Sequence, residues 1–156
     1  MLNKMIIELG KECDIDNWMY LVNKVKDGFP GLETKEALDE HRDTVLDFMS
    51  KQSAICAKSG NKIVGTLLFS KNHNMICFLA VDAEYRRQHI AEKMVSYMLT
   101  FMDPKRAVVV TTYREGVPEG VAARAFYKRL DFVEGRLIEE FGSLVQEFVL
   151  EQKIIK

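Results

Sequence analysis

The stretch Met75-Ile76-Cys77-Phe78-Leu79-Ala80-Val81 leads through Asp82-Ala83-Glu84-Tyr85 into Arg86-Arg87-Gln88-His89-Ile90-Ala91-Glu92-Lys93-Met94. Its first seven residues are apolar at every position. A strand with no polar face is expected at the centre of a sheet, covered by helices on both sides. The period then changes. Ile90, Met94, Met98 and Phe101 recur at helical spacing, which predicts a helix over 86–102. Ala107-Val108-Val109-Val110-Thr111-Thr112 is a second buried strand. Strand, helix and strand together make one β-α-β crossover.

Upstream, Met5 to Leu9 reads as an edge strand. Asp14 or Asp16 offers an N-cap to a helix whose stripe is Ile15, Trp18, Val22 and Val25. Gly28-Phe29-Pro30-Gly31 ends that pattern. Thr34 then caps a second helix with its stripe at Leu38, His41, Val45 and Phe48 or Met49. Ala54–Ala57 and Ile63–Phe69, around Ser59-Gly60-Asn61, read as a β-hairpin. Downstream, Pro118 opens a helix running to about Leu130. Phe132 to Phe141 and Leu144 to Leu150 form two closing strands around Gly142-Ser143. The expected fold class is α/β: a mixed, mostly antiparallel central sheet of about seven strands with helices on both faces.

The 156 residues show no repeat, linker or composition break, so a single domain over 1–156 is expected. A net charge of −1 gives no sign of nucleic acid or an anionic membrane as partner. No segment has the apolar length of a membrane span, and Met5-Ile6-Ile7 is too short for a signal-peptide core. Three cysteines, an odd number without metal-ligand spacing, are expected to be reduced thiols in a cytoplasmic protein, with no metal site. Cys56 and Cys77, in apolar strands, are expected to be core filler.

The strand–turn–helix carries the chemistry. The first turn of a helix has amides with no intrahelical partner and lies at the positive end of the helix dipole. It is therefore a natural phosphate cradle, and Arg86 and Arg87 add bidentate donors. Two arginines at a helix start are otherwise ordinary surface charge. Position decides: ligands of open α/β sheets bind at the carboxyl ends of central strands.

Phe78 to Ala91 resembles the central motif of the GNAT N-acetyltransferase superfamily, an apolar strand followed by Arg/Gln-x-x-Gly-x-Gly/Ala. Arg86 matches the first position and Ala91 the last, while His89 stands in place of Gly. With that Gly missing, His89 must aim its ring outward or cover the phosphates. A second stretch, Ala123 to Phe132, resembles the family's closing Ala-x-x-x-Tyr-x-x-x-Gly-Phe. Ala123, Tyr127 and Phe132 match, Asp131 replaces the Gly, and Gly120 stands where many members have Asn.

The resemblance implies acetyl-coenzyme A as co-substrate. Its pyrophosphate would lie on the amides of Arg87, Gln88, His89, Ile90, Ala91 and Glu92, with Arg86 beside them. Its pantetheine arm would run along Leu79, Ala80 and Val81. A backbone N–H near Leu79 would face the thioester oxygen. Tyr127 would be the general acid for the leaving thiolate, since a phenol of ordinary pKa near 10 can protonate a thiolate of pKa about 8.5. The acceptor would be a primary amine of a small molecule or peptide, attacking directly. For the base, Glu33, Glu139 and Glu140 are candidates. Phe29 and Leu32 would wall the acceptor pocket, with Glu33 attracting a cation. Relatives dimerise through the sheet edge or last strands, and Leu144 to Leu150 is apolar enough for a homodimer. The alternatives are a non-catalytic coenzyme-A-binding sensor on the same fold, or a nucleotide-binding α/β domain. The second is disfavoured by the lack of Gly-x-x-x-x-Gly-Lys-Ser/Thr and Gly-x-Gly-x-x-Gly.

Overall fold

The computed structural model describes residues 4–140 and 142–152. Among these residues seven strands and four helices follow one another. They are β1 (Met5–Leu9), α1 (Ile15–Val25), α2 (Lys35–Ser50), β2 (Ala54–Ser59), β3 (Lys62–Ser70), β4 (Met75–Val81), α3 (Ile90–Leu99), β5 (Val108–Tyr113), α4 (Val121–Arg129), β6 (Val133–Glu140) and β7 (Ser143–Leu150). The strands form one mixed sheet in the order β1-β2-β3-β4-β5-β7-β6. The parallel pair is β4–β5, at Met75–Val109 and Ile76–Val110, as a β-α-β crossover requires. The fold class read from the sequence is the one observed. The expected end of β6 at Phe141 lies outside the described residues.

By its internal contacts the chain divides into two units, Met1–Phe69 with Phe78–Phe101, and Ser70–Cys77 with Met102–Lys156. In the first unit, helices pack on both faces of the strands. Trp18, Leu21 and Val22 of α1 and Val45 and Met49 of α2 bury against Ala54 and Cys56 of β2 and Ile63 and Leu68 of β3. On the opposite face α3 comes so close that a Cβ on Gly65 would lie 2.9 Å from Met94 Cε and 3.0 Å from Ile90 Cγ2. Thr34 caps α2 as its residue type predicts, its hydroxyl accepting from the Ala37 N–H at 3.0 Å. Asp14 does not cap α1 through its side chain. Its carboxylate instead accepts from the Lys11 N–H and pairs with Lys58, both at 2.9 Å.

The second unit is built on the antiparallel β5–β7–β6 ladder. Asn74, buried in the turn before β4, donates to the carbonyls of Asp103, Arg106 and Ala107 and accepts from the Asp103 N–H at 2.9 Å. In β6, Gly135 and Arg136 together oppose Glu147, which makes a bulge. Gln146 Nε2 donates to the Gly135 carbonyl at 2.8 Å and fills the gap in the ladder.

Two sequence expectations need correction. The helix predicted from Arg86 starts at Ile90, because Arg87 (φ 67°) and His89 (φ 60°) are left-handed and cannot continue a right-handed helix. The strand expected to be covered on both faces is not. In β4 only Ile76 and Ala80 are buried, and Cys77 is exposed, so it is not core filler.

Candidate active site

β4 delivers Leu79, Ala80 and Val81 to the end of the strand. Leu79 and Val81 are half-buried and lie on the strand face opposite Ala80. An apolar strand that leaves side chains partly open suits an apolar chain laid along it.

The bend that follows is held from below by a buried carboxylate. Asp82 is 1% exposed. It accepts from Lys24 Nζ at 2.7 Å and from the Glu84 N–H at 3.0 Å, with Lys62 Nζ at 3.7 Å. Its own N–H donates to the Val64 carbonyl at 2.8 Å. Burial would raise its pKa. The Lys24 and Glu84 hydrogen bonds and the charges of Lys24 and Lys62 outweigh that and hold the carboxyl below the usual range. Lys62 also lies 5.3 Å from the centre of the Tyr85 ring. Asp82 thus ties α1, β3 and the bend together, a role its residue type alone did not announce.

Arg86, Arg87, Gln88 and His89 are all exposed. Arg86 is extended (φ −67°, ψ 161°) and His89 is the N-cap of α3 (φ 60°, ψ 25°). His89 therefore keeps the backbone conformation that a glycine would supply, one that His tolerates better than most residues. The imidazole is 70% exposed, with Nδ1 3.2 Å from Glu92 Oε2. No side chain caps α3, so its first-turn amides have no acceptor from the cap position. A helix start of this kind suits a phosphate.

Tyr127 belongs to the second unit. It is 5% exposed, with its ring against Phe126, Phe132 and Phe148. Burial pushes its phenol well above the ordinary value. Such a group stays protonated near neutrality and donates a hydrogen bond, but full transfer of its proton to a thiolate is uphill. Arg124, one turn earlier, is also buried. It donates to the Tyr113 carbonyl at 3.0 Å and to Glu134 at 2.6 Å, and stacks over Phe148. Gly120 is buried at the start of α4, where an added Cβ would collide with the Tyr113 Cβ. That contact disfavours any side chain at this position.

The carboxylates suggested as bases are occupied or open. Glu33 accepts from the Gly31 N–H at 3.0 and 3.1 Å, which lowers its pKa and holds it against its own loop. Glu140 accepts from Thr111 Oγ1 at 3.1 Å, and Glu139 is exposed. Leu32 is buried, while Phe29 stacks on Phe78 with ring centres 4.4 Å apart. Cys56 is fully buried with its thiol pushed up to about 12, which leaves no thiolate nucleophile there.

Residues 18–132 match the model of the acetyltransferase (GNAT) family. No curated protein matches. Among solved structures, a GNAT-family acetyltransferase of Bacillus cereus is similar with a TM-score of 0.74 and 15% identity, over 97% of this chain and 99% of that one. The diaminobutyrate acetyltransferase of Paenibacillus lautus, in complex with L-2,4-diaminobutyric acid and coenzyme A, has a TM-score of 0.70 and 14% identity, over 99% of both chains. The PaiA N-acetyltransferase of Thermoplasma acidophilum, in complex with coenzyme A, has a TM-score of 0.69 and 12% identity, over 92% of this chain and 98% of that one. Among the described residues, no helix is long and apolar enough to cross a membrane.

Proposed function

We propose a function on one premise: this chain belongs to the acetyltransferase (GNAT) family. It is an N-acetyltransferase, and the acyl donor of the family is acetyl-coenzyme A. Our reading is that it moves the acetyl group to a primary amine of a small molecule or peptide, by direct attack on the thioester.

In this reading the amides of Arg87 to Glu92 hold the pyrophosphate, with the Arg86 guanidinium beside them. Leu79, Ala80 and Val81 hydrogen-bond the pantetheine arm as an added strand would, and the Leu79 N–H faces the thioester oxygen. The observation that carries the reading is the backbone of 86–90. Two left-handed residues and a helix start without a side-chain cap follow the end of β4, where first-turn amides have no intrahelical partner. Tyr127 supplies a protonated phenol that donates a hydrogen bond to the departing sulfur. Its support is the fixed offset to Phe132 and the burial that keeps it protonated.

Calorimetric titration with acetyl-coenzyme A, against ATP and NAD as controls, tests the cradle. Saturable binding of acetyl-coenzyme A alone is expected, weakened by about 1–3 kcal/mol in Arg86→Ala. No binding by a folded sample would end this reading. One observation favours a second reading, a coenzyme-A-binding sensor without turnover: the buried Tyr127 phenol is a poor acid. Thiol release with pooled amines separates the two.

A further inference from the structure

The buried stripe of a surface helix is ordinarily apolar, and the one on α4 is not. Gly120 at the helix start, Arg124 and Tyr127 are its buried residues, and they follow at helical spacing. Arg124 carries a full charge and is 7% exposed. It donates from Nη1 to the Tyr113 carbonyl at 3.0 Å and from Nη2 to Glu134 Oε1 at 2.6 Å. A buried, paired charge is often no better for stability than an apolar side chain of similar volume. Glu134 does not require it either, because Lys128 Nζ, on a side chain 55% exposed, reaches the same oxygen at 2.8 Å. Stability alone gives no reason for an arginine here.

Geometry gives one. Gly120 brings the backbone of α4 against the Tyr113 Cβ, which sets how close the helix lies to β5. Arg124 then grips the carbonyl of the same Tyr113 and, on β6, the Glu134 carboxylate, which sets how far the helix can roll about its axis. A planar guanidinium holds two acceptors at fixed angles, as a flexible ammonium cannot. The guanidinium carbon also lies 5.0 Å from the centre of the Phe148 ring, and the Tyr127 ring packs on that same ring with centres 6.0 Å apart. Phe148 is fully buried. Arg124 and Tyr127, three positions apart on one helix face, therefore bear on one fixed surface. A tyrosine hydroxyl lies roughly 9 Å from the axis of its helix, so a roll of about 7° moves it by about 1 Å. A displacement of that size can cost about 100-fold in rate.

We propose, resting on the role given to Tyr127 above, that Arg124 is its positioning residue. Arg124 fixes the roll of α4 and so holds the phenol hydroxyl where the departing sulfur needs its hydrogen bond. It acts through Tyr127 alone. Its guanidinium stays charged throughout and neither gives nor takes a proton.

A double-mutant cycle on the full chain tests this, with wild type, Arg124→Met, Tyr127→Phe and the double variant. Thiol release from acetyl-coenzyme A is followed with a pool of spermidine, 2-phenylethylamine and a lysyl peptide as acceptors. Arg124→Met should lower kcat roughly tenfold where Tyr127 is present, and less than about twofold in the Tyr127→Phe background. The KM for acetyl-coenzyme A should stay within about twofold in both, since the helix roll acts on the chemical step. Arg124→Lys, which reaches one acceptor at a time, should recover part of the loss. Glu134→Gln keeps an acceptor oxygen beside Arg124 and should lose roughly threefold, again only where Tyr127 is present, so the test survives if Arg124→Met does not fold. Equal losses in both backgrounds would overturn the proposal and spare the role of Tyr127, because a helix that is merely destabilised loses the same factor with or without the hydroxyl. Full turnover in Tyr127→Phe, or no thiol release by wild type that binds acetyl-coenzyme A, would overturn the role of Tyr127 and this proposal with it.

Discussion

Replacing Asp82 tests whether one buried carboxylate organises the bend that leads into Arg86–His89. Asp82→Ala removes a charge-assisted hydrogen bond to Lys24 and a bond to the Glu84 N–H. The first is worth about 1.5–3 kcal/mol and the second about 0.5–1.5 kcal/mol. Lys24 keeps 34% of its side chain in solvent, so it recovers water and the cost stays below that of a sealed orphan charge. The net expectation is a loss of about 2–3 kcal/mol, which lowers Tm by roughly 4–12 °C in a chain of this size. Asp82→Asn keeps the bond to the Glu84 N–H and should lose roughly half as much. The sign with pH follows from the depressed carboxyl. Its contribution is fully present above the unfolded value of about 3.9 and disappears as pH falls through the lower folded value. The Tm gap between wild type and Asp82→Asn, read by calorimetry, should therefore be constant from about pH 6 to 8 and shrink below about pH 4. Because the bend leads into Arg86–His89, affinity for acetyl-coenzyme A should fall roughly tenfold, or about 1.4 kcal/mol. Equal melting of the Asn and wild-type proteins at pH 7 would refute the electrostatic argument. Unchanged affinity in a destabilised variant would show that the bend holds itself.

Tyr127→Phe should lower turnover roughly 10- to 100-fold, the worth of one hydrogen bond to a developing thiolate, and leave acetyl-coenzyme A affinity unchanged in titration. Intact turnover would remove Tyr127 from the reaction. His89→Gly keeps the left-handed backbone and should change stability by less than about 1 kcal/mol in a denaturant melt, since strain relief and chain entropy oppose each other. It should also bind acetyl-coenzyme A at least as tightly, and a tenfold loss would mean the ring contacts the ligand. Gly120→Ala should cost about 1–3 kcal/mol in the same melt, because Tyr113 must move to admit the Cβ.

Much of this arrangement is legible in residue types. Period and apolar runs predict every helix and the parallel β4–β5 pair, and Thr34 marks a helix start that its hydroxyl indeed caps. What escapes has physical reasons. The helix start at Arg86 is misread because handedness at Arg87 and His89 leaves no trace in residue identity, whereas a glycine would have signalled it. Cys77 is misread because an apolar strand residue implies an apolar neighbour without saying whether that neighbour is protein. Glu33 looks like a free anion until its bonds to the Gly31 N–H are seen. His41 falls on the apolar stripe of α2 and reads as one more core residue. Asp82 is likewise mute, since its partners Lys24 and Lys62 are 58 and 20 positions away in the chain.

The bulge at Gly135–Arg136 bears on how copies of this protein behave when crowded. β6 is the last strand of the sheet, and an outer strand with a straight row of unpaired amides and carbonyls is a template for another chain. The extra residue breaks that row after Glu134, and Leu137 to Glu140 is left as the longest regular stretch. Arg136, Glu139 and Glu140 add charge along the same strand. An incoming strand meets a kink and repulsion before it can zip into register, so Val133 and Leu137 can stay exposed without inviting aggregation.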